Sequence, residues 1–330
     1  MKNLKKYLTD QSGQMVIVVM LVLVIALTVG LSLISRTITN TRLSTNTENA
    51  NRAYSAAEAG IEEALRPGGT VTGTGTQGLG ATGANQSTYQ TNTSTQGNTD
   101  EPFMFPNPFK KDEASQVWLF NYESYRNSST FPVVSCPSGT NYFNECANRD
   151  ITIYWGTPTG GAPNASTPAL EVTLLYRDNA NAFQVEKCAY DPYQTRSTSN
   201  NFSNAVSTAD STICNQSGAN LTSGNFPLTN TSQGTKNYNF RKSLRLASAS
   251  STGRKYLLMR LKPLYNTTSH DIAVDPGDAV LPAQGQVIES TGNAGDVIRK
   301  IRVYQSYPTL PGVFDFVLFN GSDQPLEKNE

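Results

Sequence analysis

Side chains that could do chemistry are sparse in this chain. His270 is the sole histidine, and Asp271 follows it directly. A histidine beside an acid is half of a nucleophile-activating arrangement, but it needs a placed serine, threonine or cysteine. Here the pair sits in a polar, loop-like stretch and reads as a solvated turn, so no catalytic residue is assigned. No Gly-x-Gly-x-x-Gly opens a helix after a strand, and no phosphate-loop signature occurs. The reading is therefore of a non-enzyme that holds no cofactor. Asp271, Asp275 and Asp278 gather three carboxylates in eight residues. Calcium favours such oxygen ligands, though the spacing is not that of an EF-hand. A calcium site and a solvated acidic loop both stay open.

Four cysteines, Cys136, Cys146, Cys188 and Cys214, lie far from the N-terminus. With no C-x-x-C and one histidine they do not form a zinc set. An even number in this region suits disulfides made outside the cytoplasm. Three pairings are open; loop-closure entropy favours Cys136–Cys146 with Cys188–Cys214.

Net charge is zero, with 26 basic and 26 acidic residues, so bulk charge gives no case for nucleic-acid binding. Locally, Lys236 to Lys262 holds eight Lys/Arg and no acid. If Phe240, Leu244 and Leu246 face inward on a strand, Arg241 and Arg245 face out. If Leu257, Met259 and Leu261 face inward on another, Arg260 and Lys262 face out. Such a stripe would suit DNA phosphates. An ordinary solvated sheet face is the competing reading.

The elements that carry these residues begin with an unusual N-terminus. Residues 1–13 include Lys2, Lys5 and Lys6 and end in Ser12-Gly13. Met15 to Ile34 then runs 20 residues without a charge, long enough at ~1.5 Å per residue to cross a ~30 Å hydrocarbon core. Lysines on the leading side place the N-terminus in the cytoplasm. A cleaved secretory signal and a plain single-span anchor compete with a permanent helix. What separates them is the continuation. Ile34, Ile38, Leu43, Ala50, Ala53, Ala57, Ile61 and Ala64 recur at helical spacing, with Arg42, Glu48, Arg52 and Glu62 on other faces. Arg66-Pro67-Gly68-Gly69 stops the run. The spacing predicts one helix over 14–66, apolar all round in its first half and amphipathic in its second.

Ser12-Gly13-Gln14-Met15-Val16, a short basic leader ending in Gly before an apolar helix, resembles the precursor of a type IV pilin or pseudopilin. Arg52-Ala53-Tyr54-Ser55-Ala56-Ala57-Glu58-Ala59-Gly60 is similar to the Ala-Ala-Glu-Ala-Gly segment of minor pilins with a PilX-like N-terminus. The resemblance covers residues 1–66 only. It implies a prepilin peptidase cutting after Gly13, methylation of Gln14, and other pilin subunits as partners through the helix. It also implies a single pass of the cytoplasmic membrane before assembly and the pilus or cell surface afterwards. Major pilins carry Glu at the fifth mature position; here it is Val18, which points to a minor, tip-located or assembly-initiating subunit.

Residues 67–101, rich in Thr, Gly, Gln, Asn and Ser, read as a flexible linker. Beyond them, over 102–330, runs alternating with period two predict strands at 115–122, 151–155, 169–177, 183–190, 239–247, 255–262, 285–290, 296–306 and 313–319. Two hairpins follow: one turns at Asp178-Asn179-Ala180-Asn181, the other from Val303 through Tyr307–Gly312 into Phe314. Residues 195–235 read as a surface loop. The expected architecture is α+β: a long helix packed on an antiparallel β-rich head. Adhesion or DNA capture would be the work of that head.

Overall fold

In a computed structural model the described residues are 12–66, 75–79, 86–128, 130–133, 141–158, 162–200, 202 and 221–309. Along the chain run α1 (Ser12–Leu65), β1 (Gly75–Leu79), β2 (Ser87–Gly97), β3 (Phe103–Met104), β4 (Ser115–Trp118), α2 (Tyr122–Ser128), β5 (Arg149–Trp155) and β6 (Ala169–Arg177). There follow β7 (Phe183–Tyr190), α3 (Gln194–Asn200), β8 (Thr222–Asn230), β9 (Gly234–Leu246), α4 (Ala249–Thr252) and β10 (Lys255–Leu264). The last elements are β11 (Ile272–Asp275), β12 (Ala283–Ala294) and β13 (Val297–Ser306). The architecture is α+β, with one long helix and antiparallel sheets. Two compact units emerge: residues 1–93 with 288–303, and 94–287 with 304–330.

The first unit contains α1 and much of a four-stranded sheet ordered β1-β2-β12-β13. One face of that sheet carries Tyr89, Thr91, Ile288, Ser290 and Ala294, all buried, and receives α1 through Ala53, Ala56, Ala57 and Ile61. The opposite face is polar: Glu289 of β12 pairs with Lys300 at 2.6 Å and with Arg302, both of β13. Those bonds hold the Glu289 carboxyl below its ordinary range, chiefly through Lys300 and against a smaller opposing effect of burial.

The second unit is a sandwich of a four-stranded sheet, β4-β10-β6-β7, and a five-stranded one, β3-β11-β5-β9-β8. A shared core joins Val172, Leu174, Met259 and Leu261 of the first sheet to Ile153, Trp155, Phe240 and Leu244 of the second. The β6–β7 hairpin turns where the sequence expects. Asn181 adopts φ +60, and the Asp178 side chain accepts the Ala182 N–H at 2.9 Å across the turn.

Three expectations are corrected. Residues 87–97, expected as linker, are strand: Ser87, Tyr89 and Thr91 alternate inward and are buried although two of them are small and polar. Within 195–235, expected as loop, α3 and β8 form, β8 pairing along β9. The expected strand over 115–122 ends at Trp118, and α2 begins at Tyr122. The strand expected at 313–319, and with it the far half of the second hairpin, lies outside the described residues.

Candidate assembly surface

The helix α1 divides into two surfaces of opposite character. From Met15 to Ile34 every large apolar side chain is more than half exposed, Met15 at 76% and Ile25, the least, at 53%. This is the one helix among the described residues long and apolar enough to cross a membrane. Gly30 within it has no atom near where a Cβ would stand. Gly13 and Gln14 lie in its first turn, and Val18 is 58% exposed. A threonine-rich stretch follows in which Thr37, Thr39, Thr41, Thr45 and Thr47 each donate to the carbonyl four residues back, at 2.8–3.0 Å. Those bonds satisfy the threonine hydroxyls on the helix's own backbone, at a slight cost in helix stability.

From Ala53 the helix becomes a packing surface. Ala53, Ala56 and Ala57 are fully buried, and Gly60 sits where a Cβ would collide with Ser290 Oγ and lie 2.7 Å from Tyr89 Cδ2 and 2.8 Å from Thr91 Oγ1. Gly292 of β12 answers it: a Cβ there would strike the Ala53 carbonyl and come within 2.6 Å of the Ala57 nitrogen. Small residues on both sides bring the helix backbone onto the strand backbone. Seating the helix this closely leaves Thr91 Oγ1 and Ser290 Oγ buried with no hydrogen-bond partner.

Other residues singled out by sequence fall elsewhere. His270 is buried, not in a solvated turn. It joins Phe109 in a β-bridge, and its Nδ1 accepts the Thr157 N–H at 3.3 Å. Burial holds its pKa below the ordinary histidine value, only partly offset by Asp271. Asp271 is engaged by Lys236 Nζ at 2.7 Å, and Asp275 accepts the Gly277 N–H at 2.9 Å. With Asp278 they make no cluster of three metal-ligating side chains among the described residues.

The basic stripe is broken. Arg241 and Arg245 are exposed on β9, Arg241 lying 4.5 Å over the Phe226 ring and Arg245 beside Asp150 at 3.6 Å. Arg260 and Lys262, expected to face solvent, are buried at 7% each on β10, in the other sheet of the sandwich. They do face away from Met259 and Leu261, as expected, but that outer face is itself covered. The pairing register shifts between Tyr256 and Leu258, so Tyr256 rather than Leu257 joins Met259 and Leu261 in the core. Leu257 turns instead to an aromatic layer with Phe120 and Tyr142, so β10 is covered on both faces.

Cys146 and Cys188 are both in the disulfide state. Their pairing expectation involves Cys136 and Cys214, which lie outside the described residues.

The chain matches no protein-family model, no curated protein and no solved structure.

Proposed function

We propose that this chain is a minor subunit of a type IV pilus-like filament, structural and not catalytic. The single observation that carries the reading is the division of α1. An entirely apolar, exposed segment is joined without interruption to a segment whose small residues lock onto the chain's own sheet. A rod so divided is held rigidly at one end and offers the other to apolar surroundings supplied from outside. Before assembly those surroundings are lipid, with the N-terminus in the cytoplasm. During assembly they are the helices of neighbouring subunits. Because both are apolar, and α1 satisfies its own backbone hydrogen bonds, little is lost on transfer. Val18, where major subunits carry a carboxylate, suits a subunit placed at the tip or starting the filament.

A prepilin peptidase cut after Gly13 tests the reading in cells. Gly13→Leu is expected to leave the precursor uncut and absent from sheared filaments, while the chain still sits in the membrane. Undiminished maturation and incorporation would end the proposal.

A further inference from the structure

The second unit holds two adjoining cavities, of about 200 and 520 Å³, that share Ser306 and Tyr307 in their walls. Phe105, Trp118 and Tyr304 line the smaller; Tyr122, Gln286 and Gln305 line the larger. Tyr307 stands between them with its ring 4.7 Å from that of Tyr122, and its hydroxyl is engaged with Glu123.

The walls are braced from behind. Gln284, only 3% exposed, accepts the Trp118 N–H at 2.7 Å and donates to the Trp118 and Pro282 carbonyls at 2.9 and 2.7 Å. Gln116, equally buried in kind, donates to the Pro308 carbonyl at 2.6 Å. A rim fixed in this way loses little entropy when it takes a ligand.

Formal charge in the walls is confined to one exposed ion pair and one capped carboxylate. Glu123 and Arg126 face each other at 3.5 Å, and Glu113 accepts the Lys110 N–H at 2.9 Å. What remains is aromatic surface and amide. Gln286 and Gln305 use one donor and one acceptor on each other at 2.9 Å, leaving the Gln305 amine and the Gln286 carbonyl for a ligand. Two N–H donors on residues lining the smaller cavity, Gln96 Nε2 and Trp118 Nε1, are buried and bonded to nothing. Both nitrogens are closed to the cavity space, so recognition of a ligand falls to the aromatic surface and to the two glutamine amides. Glu113, Glu123 and Arg126 carry charges of both signs at solvent-exposed margins, so the walls favour neither a cation nor an anion.

We infer that this double cavity binds a neutral oligosaccharide, one sugar ring lying against the aromatic wall of the smaller cavity and the next crossing Tyr307 towards Gln286 and Gln305. Sugar rings present C–H faces to aromatic side chains and hydroxyl edges to amides, the two surfaces found here. The site lies wholly within one unit, so this inference stands apart from the filament reading and a failure of either leaves the other intact.

The test uses the full chain held soluble in amphipol, a polymer without sugar groups. Glucose, mannose, galactose and N-acetylglucosamine, with their tri- and tetrasaccharides, are titrated against tryptophan fluorescence and saturation-transfer NMR. Trp155 is fully buried in the core, so any quenching reports Trp118, the other of the chain's two tryptophans. At least one sugar series is expected to bind, single rings on the order of millimolar and tetrasaccharides about tenfold tighter or more. The affinity is expected to stay unchanged when salt is raised from about 50 to about 500 mM, since no charge is involved. Tyr307→Ala should weaken tetrasaccharide binding at least tenfold. Gln305→Ala, at an exposed position whose loss leaves the fold intact, should weaken the tetrasaccharide and spare the single ring. No response to any sugar at about 10 mM, a response that Gln305→Ala leaves untouched at every length, or capture of a proline-rich peptide in place of sugars would overturn the inference.

Discussion

Gly292 on β12 meets the carbonyl oxygen of Ala53 on α1 with no room for even a methyl group between them. Gly60 repeats the arrangement about two turns further along the helix, against Ser290, Tyr89 and Thr91. Together they make a seam of small residues that fixes the second half of the helix to its sheet and leaves the first half exposed.

Filling the seam should therefore unfasten the rod. Gly60→Leu is expected to destabilise the first unit by about 1–3 kcal/mol, and Gly292→Val by that much or more because backbone must move. Denaturant unfolding of the full chain, with hydrogen exchange at Ala53–Ile61, measures both. Stability equal to the wild type would show that the helix does not rest on this seam.

The seam also contains two stranded hydroxyls. Ser290→Ala removes a buried oxygen without a partner, so it should be neutral or stabilising by up to about 1 kcal/mol. A loss of more than that in the same unfolding experiment would mean that the hydroxyl is bonded in solution.

His270 supplies a pH dependence of known sign. Its folded pKa lies below the unfolded value of about 6.5, so the neutral form is the one the fold holds. The stability it supports is fully present above that value and is lost as pH falls from about 6.5 through the folded pKa. His270→Gln should flatten this part of the curve: the stability gap between wild type and variant narrows from pH 7.5 to pH 5. A gap that holds or widens on acidification contradicts the buried, neutral assignment.

Much of the sandwich was legible because its strands obey the alternation rule. Leu170, Val172 and Leu174 point inward on β6, and Asp178 to Asn181 make the turn that sends the chain back as β7. Where reading failed, the cause lies in a partner that sequence does not display. Thr91 is buried because a helix of alanines and a glycine approaches closely enough to cover a small side chain, a contact that sequence proximity does not announce. Arg260 and Lys262 do lie opposite Met259 and Leu261, as read, but the covering of that outer face of β10 leaves no mark in the alternation; the bulge between Tyr256 and Leu258 misplaced Leu257 alone. The apolar half of α1 was plain from composition. The aromatic cleft was not, since Gln96, Trp118, Gln284 and Tyr307 are separated by up to about two hundred residues and meet only through the sheet edges.

Non-reducing peptide mapping tests the oxidised state. Cys146 and Cys188 should appear only in cross-linked peptides, the first with Cys136 and the second with Cys214, each bridge worth about 2–4 kcal/mol. A peptide joining Cys146 to Cys188, or either as a free thiol, would contradict the loop-length assignment.

The division of α1 into a free apolar half and a fastened small-residue half is tested most directly at the chain's own N-terminus. Intact-mass and fragment-ion spectra of the protein taken from membranes and from sheared filaments are expected to begin at a methylated Gln14 in both. A chain that still begins at Met1, and is confined to the membrane fraction, would mean that the exposed half is an anchor and nothing more.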